Sequence, residues 1–165
     1  MYVAGLAVGR VVDRATARSL GRELRRLDAR AQALRALRSR DHTVASLEHR
    51  LADGGTPPGV RRQTLEAAER AGLVDDRRFA RDRATLLAVR GAGDHFISAD
   101  LERRGVSEAD AREAVDLLEP ESTRAARIIE ARGRTVRTAR HLAAKGFSEE
   151  ALETLVADLS SDALD

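Results

Sequence analysis

The sequence of 165 residues contains no cysteine and no tryptophan, and its aromatic residues are one tyrosine and three phenylalanines. The lack of cysteine excludes disulfide bonds, thiolate metal sites and cysteine nucleophiles. With so few rings, the core is expected to consist of leucine, valine, isoleucine and alanine. No segment approaches the about 20 consecutive apolar residues that a membrane-spanning helix needs, so we expect a soluble, cytoplasmic protein with no membrane partner.

Positive charge is concentrated at the start of the chain, although the net charge is only +2. Residues 1–40 contain ten arginines and three acidic residues, whereas residues 91–131 contain five arginines and ten acidic residues. A basic surface attracts polyanions at long range and releases counterions when it contacts phosphate. Arginine-rich helices that are merely solvated have the same composition, so charge alone leaves nucleic-acid binding open.

Helical patterns occupy most of the sequence. Leucine and alanine recur at alternating steps of four and three in residues 20–34, which predicts a helix that docks through this face and keeps its arginines outside. The apolar positions of this pattern are Leu20, Leu24, Leu27, Ala31 and Leu34. Before this helix, valines and glycines alternate in residues 2–12, which is typical of a short strand or hairpin.

An internal repeat is the most informative feature of the sequence. Leucine or isoleucine recurs at four-residue steps ahead of Gly55, Gly105 and Gly146, and a glycine in this place ends a helix because it tolerates the left-handed conformation. In the second and third copies Ser107 and Ser148 follow as N-caps of a new helix. The pattern predicts an all-α fold of tandem three-helix repeats that stack into an elongated, curved body.

The repeats divide the sequence into four predicted segments. These are a basic N-terminal segment with the docking helix (1–38), helical repeat 1 (39–90), helical repeat 2 (91–131) and a truncated helical repeat 3 (132–165).

Residues 71–81, AGLVDDRRFAR, join two of the predicted helices. Gly72 closes the first helix, Leu73 and Val74 turn into the core, an acidic residue caps the second helix, and Phe79 faces inward. Either Asp75 or Asp76 is suited to the cap. The arginines of the segment then remain available for contacts.

Two pairs of residues are candidates for catalysis or metal binding. The acids at 75 and 76 could act together, but adjacent side chains rarely point at one site and a helix cap already explains an acid there. His42 and His49 lack the i, i+4 spacing of a zinc-binding helix. We therefore predict no catalytic residue, no bound metal and no cofactor.

Four stretches of the sequence resemble the RecX family, regulators of the RecA recombinase. They are ALRALRSRDHT, AGLVDDRRFARD, RGAG followed by LERRGV, and HLAAKGFSEEAL, and the resemblance extends from about Ala33 to the C-terminus. After RGAG the family usually continues with proline or another helix starter and with basic residues. This chain has Asp94, His95 and Phe96 instead, which puts a wholly basic surface in repeat 2 in question.

The resemblance implies a non-enzymatic regulator of homologous recombination and DNA repair. Members bind along RecA filaments on single-stranded DNA and hinder strand exchange, ATP turnover and co-protease action. The expected partners are the RecA filament and single-stranded or double-stranded DNA, bound by a monomer through an arginine-rich surface. Cations on the polar sides or at the ends of the repeat helices are the candidate contacts: Arg61, Arg62, Arg77, Arg78, Arg81, Arg90, Arg103, Arg104, Arg137, Arg140 and Lys145.

A second hypothesis needs no recombinase. In it the chain is a generic helical DNA-binding protein whose basic first 40 residues supply non-specific affinity.

Overall fold

The computed structural model describes residues 11–153, and it contains eight α-helices and no strand in that range. The helices are α1 (Arg14–Ser39), α2 (Val44–Asp53), α3 (Pro58–Arg70), α4 (Asp76–Val89), α5 (Asp94–Arg103), α6 (Glu108–Asp116), α7 (Glu121–Arg132) and α8 (Val136–Ala144). Residues 149–153 are also helical. The all-α prediction is confirmed. The strand predicted at 2–12 lies outside the described residues, except for Val11 and Val12, which have no regular structure.

The helices pack in three consecutive groups of three, each around its own small core. The first core lies between α1, α2 and α3, the second between α4, α5 and α6, and the third between α7, α8 and residues 149–153. Large buried side chains of the three cores are, in chain order, Leu47, Leu51, Leu65, Ile97, Leu101, Leu142 and Phe147. The predicted tandem three-helix repeats are therefore present, and Phe147 is the one aromatic side chain buried in these cores.

The packing groups the helices differently from the predicted repeat limits. We expected α4 to complete repeat 1, but its Ala80 and Ala84 pack with Ile97 and Leu101 in the second core. Likewise α7 was placed in repeat 2 and packs with α8 in the third core. Local sequence patterns locate each helix but do not identify the neighbour against which it packs. The spacing of the repeats was therefore predicted correctly, whereas the helix with which each repeat begins was not.

Helix α1 docks through alanines and not through the predicted leucine face. Ala29, Ala33 and Ala36 are buried, and the last two pack in the first core with α2 and α3. Leu24, Leu27 and Leu34 are instead 56%, 52% and 46% exposed. At 3.6 residues per turn the two sets lie on opposite sides of the helix. The small alanine side chains let three helices approach closely. A sequence pattern based only on hydrophobicity favours leucine over alanine and therefore selects the wrong face.

The first and second cores meet at a polar contact that we call the first joint. The start of α2 supplies the donors: Thr43 Oγ1 donates to the carbonyl oxygen of Arg104 at 2.6 Å, and the Val44 amide donates to Asp76 Oδ1 at 2.9 Å. The first amides of a helix have no partner within that helix. Here the next repeat provides the acceptors.

The second joint repeats this arrangement between the second and third cores. The Gly93 amide donates to the carbonyl oxygen of Lys145 at 2.9 Å, and the Asp94 amide donates to Glu121 Oε1 at 2.6 Å. Glu121 begins α7 just as Asp76 begins α4. Each joint therefore combines an acid at the first position of one helix with the turn that follows another.

Glycine is required in these turns because the joints bring two backbones together. Gly146 has φ of +78°, and a Cβ added to it would lie 2.6 Å from the Phe96 amide nitrogen. In the first joint, a Cβ on Gly105 would lie 2.3 Å from the Cβ of Ala45. By contrast, Gly72 also has a positive φ of +65°, but it faces open space.

This contrast separates backbone conformation from joint packing. Gly72→Ala should reduce the free energy of unfolding by about 1 kcal/mol, the cost of holding alanine in the left-handed region. Gly146→Ala adds a collision with α5 and should cost more than about 2 kcal/mol in urea denaturation. Equal losses for the two variants would contradict close packing at the second joint.

Candidate protein and nucleic-acid interface

The two acids of the 71–81 segment serve two different helices. Asp75 accepts the Arg78 amide at 2.9 Å and caps its own helix, α4. Asp76 accepts the Val44 amide of α2, and burial raises the pKa of its carboxyl group although this bond opposes the shift. Val74 is buried as predicted, whereas Leu73 is 47% exposed, so the prediction that both turn into the core was half wrong. The two carboxylates therefore accept amides from different helices.

The two candidate histidines do not share a site either. His42 is buried with its Nδ1 2.9 Å from Ser46 Oγ, and burial together with Arg40 and Arg50 lowers its pKa. His49 is exposed, with its Nε2 3.5 Å from Asp53 Oδ2. Within residues 11–153, no group of three histidine or acidic side chains could hold a metal ion.

Phe79 borders a cleft between the first and second cores. Its ring packs against the second core but is only partly buried. The prediction that Phe79 faces inward is therefore met only in part. The cleft has a volume of about 430 Å³ and is lined by residues of the first joint and of the two flanking helices. Arg40, Arg103 and Arg104 are its basic residues, and Asp41 and Glu102 are its acids.

A second cleft of about 580 Å³ lies between α1 and α2. Arg35 and Arg50 line it together with Asp53, and it shares Arg40 with the cleft at Phe79. The two clefts are therefore adjacent, with five arginines against three acids. We call the five arginines the basic strip: Arg35, Arg40, Arg50, Arg103 and Arg104.

One end of the basic strip is anchored by a buried carboxylate. Asp100 is 8% exposed and accepts two bonds from Arg83, at 2.8 and 3.2 Å, and one from Arg104 at 2.9 Å. Arg103 lies 3.8 Å from the same carboxylate. The hydrogen bond from Arg83, followed by the bond from Arg104, holds the pKa of Asp100 at about 2. Three cations around one anion leave this end of the strip positively charged, with Arg104 fixed in place.

The candidate arginines of α4 lie on its exposed side. Arg77 donates to Asp110 of α6 at 2.9 Å, and this bond raises the pKa of its guanidinium. The Arg78 side chain lies 3.5 Å from the Gly72 carbonyl oxygen. Arg81 is exposed to solvent. Arg77 therefore links two helices of the second core, and Arg78 and Arg81 are the more available cations.

The remaining candidates in the first half of the chain are dispersed. Arg61 is largely buried and donates to the Thr56 carbonyl oxygen at 2.9 Å, which suits a structural role. Arg62 is exposed and 3.8 Å from Glu66 on the same helix. Arg90 is exposed just after α4. None of the three lines the two clefts.

A second basic surface lies on and just after α8. Arg137, Arg140 and Lys145 are exposed there, and we call them the α8 surface. The pKa of His141 is lowered first by partial burial and then by the positive charges of Arg132 and Lys145. Lys145 precedes the glycine of the second joint as Arg104 precedes that of the first. The repeat therefore places a cation at the same position of both joints.

Several residues of these surfaces were missed by sequence reasoning. Arg35, Arg40, Arg50 and Arg83 were not singled out because their roles depend on packing between helices. Arg124 is buried, donates to the Ala92 carbonyl oxygen at 2.8 Å and pairs with Asp94. The unusual acid at position 94 was the available signal for such a partner.

The comparison with known proteins places this geometry in a family. No family-wide sequence profile matches the chain. It is, however, 30% identical over 143 residues to the regulatory protein RecX of Halorhodospira halophila, a match that covers 81% of this chain and 89% of that relative. The chain belongs to the RecX family of regulatory proteins.

Another RecX relative and two solved RecX structures extend the likeness. The RecX of Syntrophotalea carbinolica is 36% identical over 101 residues, which are 61% of this chain and 66% of that relative. A crystal structure of regulatory protein RecX has a TM-score of 0.74 at 18% identity, and covers 92% of this chain and 83% of its own. For RecX from Lactobacillus salivarius the TM-score is 0.70 at 17% identity, with 82% and 97% covered. These two structures have the same fold.

Asp94, His95 and Phe96, which follow RGAG in the sequence, have a structural role. Asp94 pairs with Arg124, and the His95 amide donates to the Gly146 carbonyl oxygen at 3.2 Å. The Phe96 backbone lies directly against Gly146. Burial raises the pKa of Asp94, and Arg124 opposes that shift. Residues 94–96 therefore build the second joint, Asp94 through its side chain and His95 and Phe96 mainly through their backbones.

The Asp100 cluster makes a testable contribution to stability. Because its pKa is lowered from 3.8 to about 2, the carboxylate stabilises the fold fully above about pH 4 and loses its effect as pH falls towards 2. Asp100→Asn should lower the free energy of unfolding at pH 7 by roughly 2 kcal/mol, and the difference should shrink between about pH 4 and pH 2. Urea denaturation across this range measures it.

Asp82→Asn is the matched control, since Asp82 is an exposed acid of α4. This variant should stay within about 0.5 kcal/mol of the parent. A loss in Asp100→Asn that did not change with pH would show that the charge of Asp100 is not the cause.

Proposed function

We propose that the chain binds a RecA filament on single-stranded DNA and inhibits its recombinase, ATPase and co-protease activities without catalysing a reaction. The observation that carries this proposal is the basic strip, which crosses from the first core to the second beside Phe79. Arginine and aromatic side chains together are characteristic of the residues that dominate protein interfaces. Arginine also forms paired hydrogen bonds with both carboxylates and phosphates.

The repeat architecture supports a partner that is itself long. Three small cores arranged one after another present their turns and helix ends in sequence, and such arrays usually bind through an extended surface. The basic strip borders the first joint, and the α8 surface lies in the third repeat and reaches the second joint at Lys145. A partner that contacted both would span the two joints, and neighbouring subunits of a filament offer such a span. Binding would hold those subunits together and oppose the movements that filament chemistry requires.

Within the candidate set, we assign the contacts to cations that are exposed or, in the case of Arg104, partly exposed on the second and third repeats. These are Arg103, Arg104, Arg137, Arg140 and Lys145, with Arg78 and Arg81 as further candidates. Arg61 is excluded from this assignment because its guanidinium is engaged within the first core.

A generic DNA-binding function is the second candidate, and α1 favours it. Arg14, Arg18, Arg22 and Arg25 are exposed and lie on one side of the helix at steps of four and three. A row of this kind suits a phosphate backbone and requires no recombinase. Its binding would weaken steeply with salt, and inhibition of RecA would then require the DNA to be coated.

RecA-catalysed ATP hydrolysis on single-stranded DNA separates the two functions. The parent chain should inhibit well below one molecule per RecA. Arg40→Glu with Arg103→Glu should raise the concentration for half-inhibition by about tenfold or more, because two attractive charges become repulsive. Arg112→Glu with Arg127→Glu, two exposed arginines outside the strip, is the control with the same change in net charge and should inhibit like the parent.

Two outcomes would contradict the proposal. One is inhibition only when the protein coats the DNA stoichiometrically. The other is loss of inhibition in Arg18→Glu with Arg22→Glu while the Arg40 and Arg103 variant inhibits normally, which would assign the effect to DNA binding by α1.

A further inference from the structure

Helix α1 exposes an apolar seam on the side opposite its core. The members of this α1 seam are Ala17, Leu20, Leu24, Leu27, Ala31 and Leu34. They alternate at steps of three and four, which is the a and d spacing of a coiled coil over more than two heptads. Three of the four leucines are about half exposed, at 56%, 52% and 46%. Single exposed leucines are ordinary, but a continuous row of them on one helix is typical of a contact surface.

In the part of the chain that the structure describes, the first half of α1 has no buried side chain. Between residues 14 and 28 no side chain is buried, and the first buried residue of the helix is Ala29. This half is about 22 Å long at 1.5 Å per residue. An isolated helix of about 15 residues is marginal in water, so packing of its apolar face is the expected source of stability.

We propose that two copies of this chain associate through antiparallel packing of their α1 seams. A two-fold axis near residues 25 and 26 places each a position opposite a d position of the second copy. Leu24 then lies opposite Leu27 of the second copy. Leu20 meets its Ala31 and Leu34 meets its Ala17, so large side chains face small ones along most of the seam.

The charges beside the seam favour this antiparallel register. Glu23 and Arg30 occupy g positions, and g positions meet each other in an antiparallel pair. Glu23 therefore faces Arg30 of the second copy, although it also pairs with Arg26 of its own helix at 2.6 Å. At the ends of the seam, Asp13 faces Arg38 of the second copy. Because the pair is two-fold symmetric, each of these attractive contacts occurs twice.

The parallel arrangement is opposed by the same residues. With g opposite e of the second copy, Glu23 would face Asp28 and Arg30 would face Arg35. In a parallel pair without stagger, Arg38 would also face Arg38 of the second copy. Like charges placed so close are unfavourable in coiled coils and define the orientation of partners.

Among residues 11–153, the cores pack on the side of α1 away from the seam. Ala33 and Ala36 bind α1 to the first core on that side. The bodies of the two copies therefore lie outside the helix pair. This arrangement departs from the monomer expected from the family resemblance, and it does not depend on the proposed RecA-binding function.

Sedimentation equilibrium tests the association. At about 100 μM, where even a dissociation constant near 10 μM gives mostly complex, the chain should have twice its 17.9 kDa mass. Leu24→Glu with Leu27→Glu should return it to a single mass. Leu86→Glu with Leu117→Glu, at leucines that are 41% and 63% exposed elsewhere, should remain dimeric.

A charge exchange tests the orientation. Glu23→Arg should shift the equilibrium to monomer, and adding Arg30→Glu should restore the dimer because the opposite charges face each other again. Stronger association of Glu23→Arg would indicate a parallel pair and would overturn the antiparallel register. A parent chain that is monomeric at about 100 μM would overturn the proposal. If the seam substitutions then lowered its melting temperature, the seam would be covered within one chain.

Discussion

Amide groups at the start of a helix need acceptors, and in this chain the following repeat supplies them. The Val44 amide binds Asp76 and the Asp94 amide binds Glu121, across distances of 32 and 27 residues in sequence. Both acids stand at the first position of a helix. Each three-helix core is too small to bury much apolar surface alone. The two joints therefore connect the cores through polar bonds and glycine turns, and not through a shared hydrophobic interior.

The joints also determine which charges stand side by side. Arg40 precedes α2 in the first repeat, and Arg103 and Arg104 end α5 in the second, yet all three border one cleft. That neighbourhood exists only while Thr43 and Val44 hold the turn and helix of the next repeat. An interface that is already assembled loses less conformational entropy on binding than one that must form. The structural role of the joints and the proposed binding role of the basic strip are thus linked.

Sequence patterns predicted the features that neighbouring residues decide. Ser107 caps α6 as expected, and Phe147 is buried at the start of the last helical segment. The same reasoning failed where the partner is distant in sequence. It could not identify Asp76 as the acceptor of the Val44 amide at the start of α2, or foresee that Arg124 is buried at the second joint. It also assigned α1 the wrong docking face, because close packing of alanines left the leucines outside.

The basic strip and the α8 surface keep their places only if the two joints hold the three cores in one arrangement. Because the chain has no native cysteine, spin labels can be placed specifically at Arg62→Cys in the first repeat and Arg137→Cys in the third, both exposed positions. Pulsed electron paramagnetic resonance should give one narrow distance distribution in this pair, and Asp76→Ala with Glu121→Ala should broaden it. A distribution that is broad from the outset, or that does not change when both acids are removed, would contradict the account.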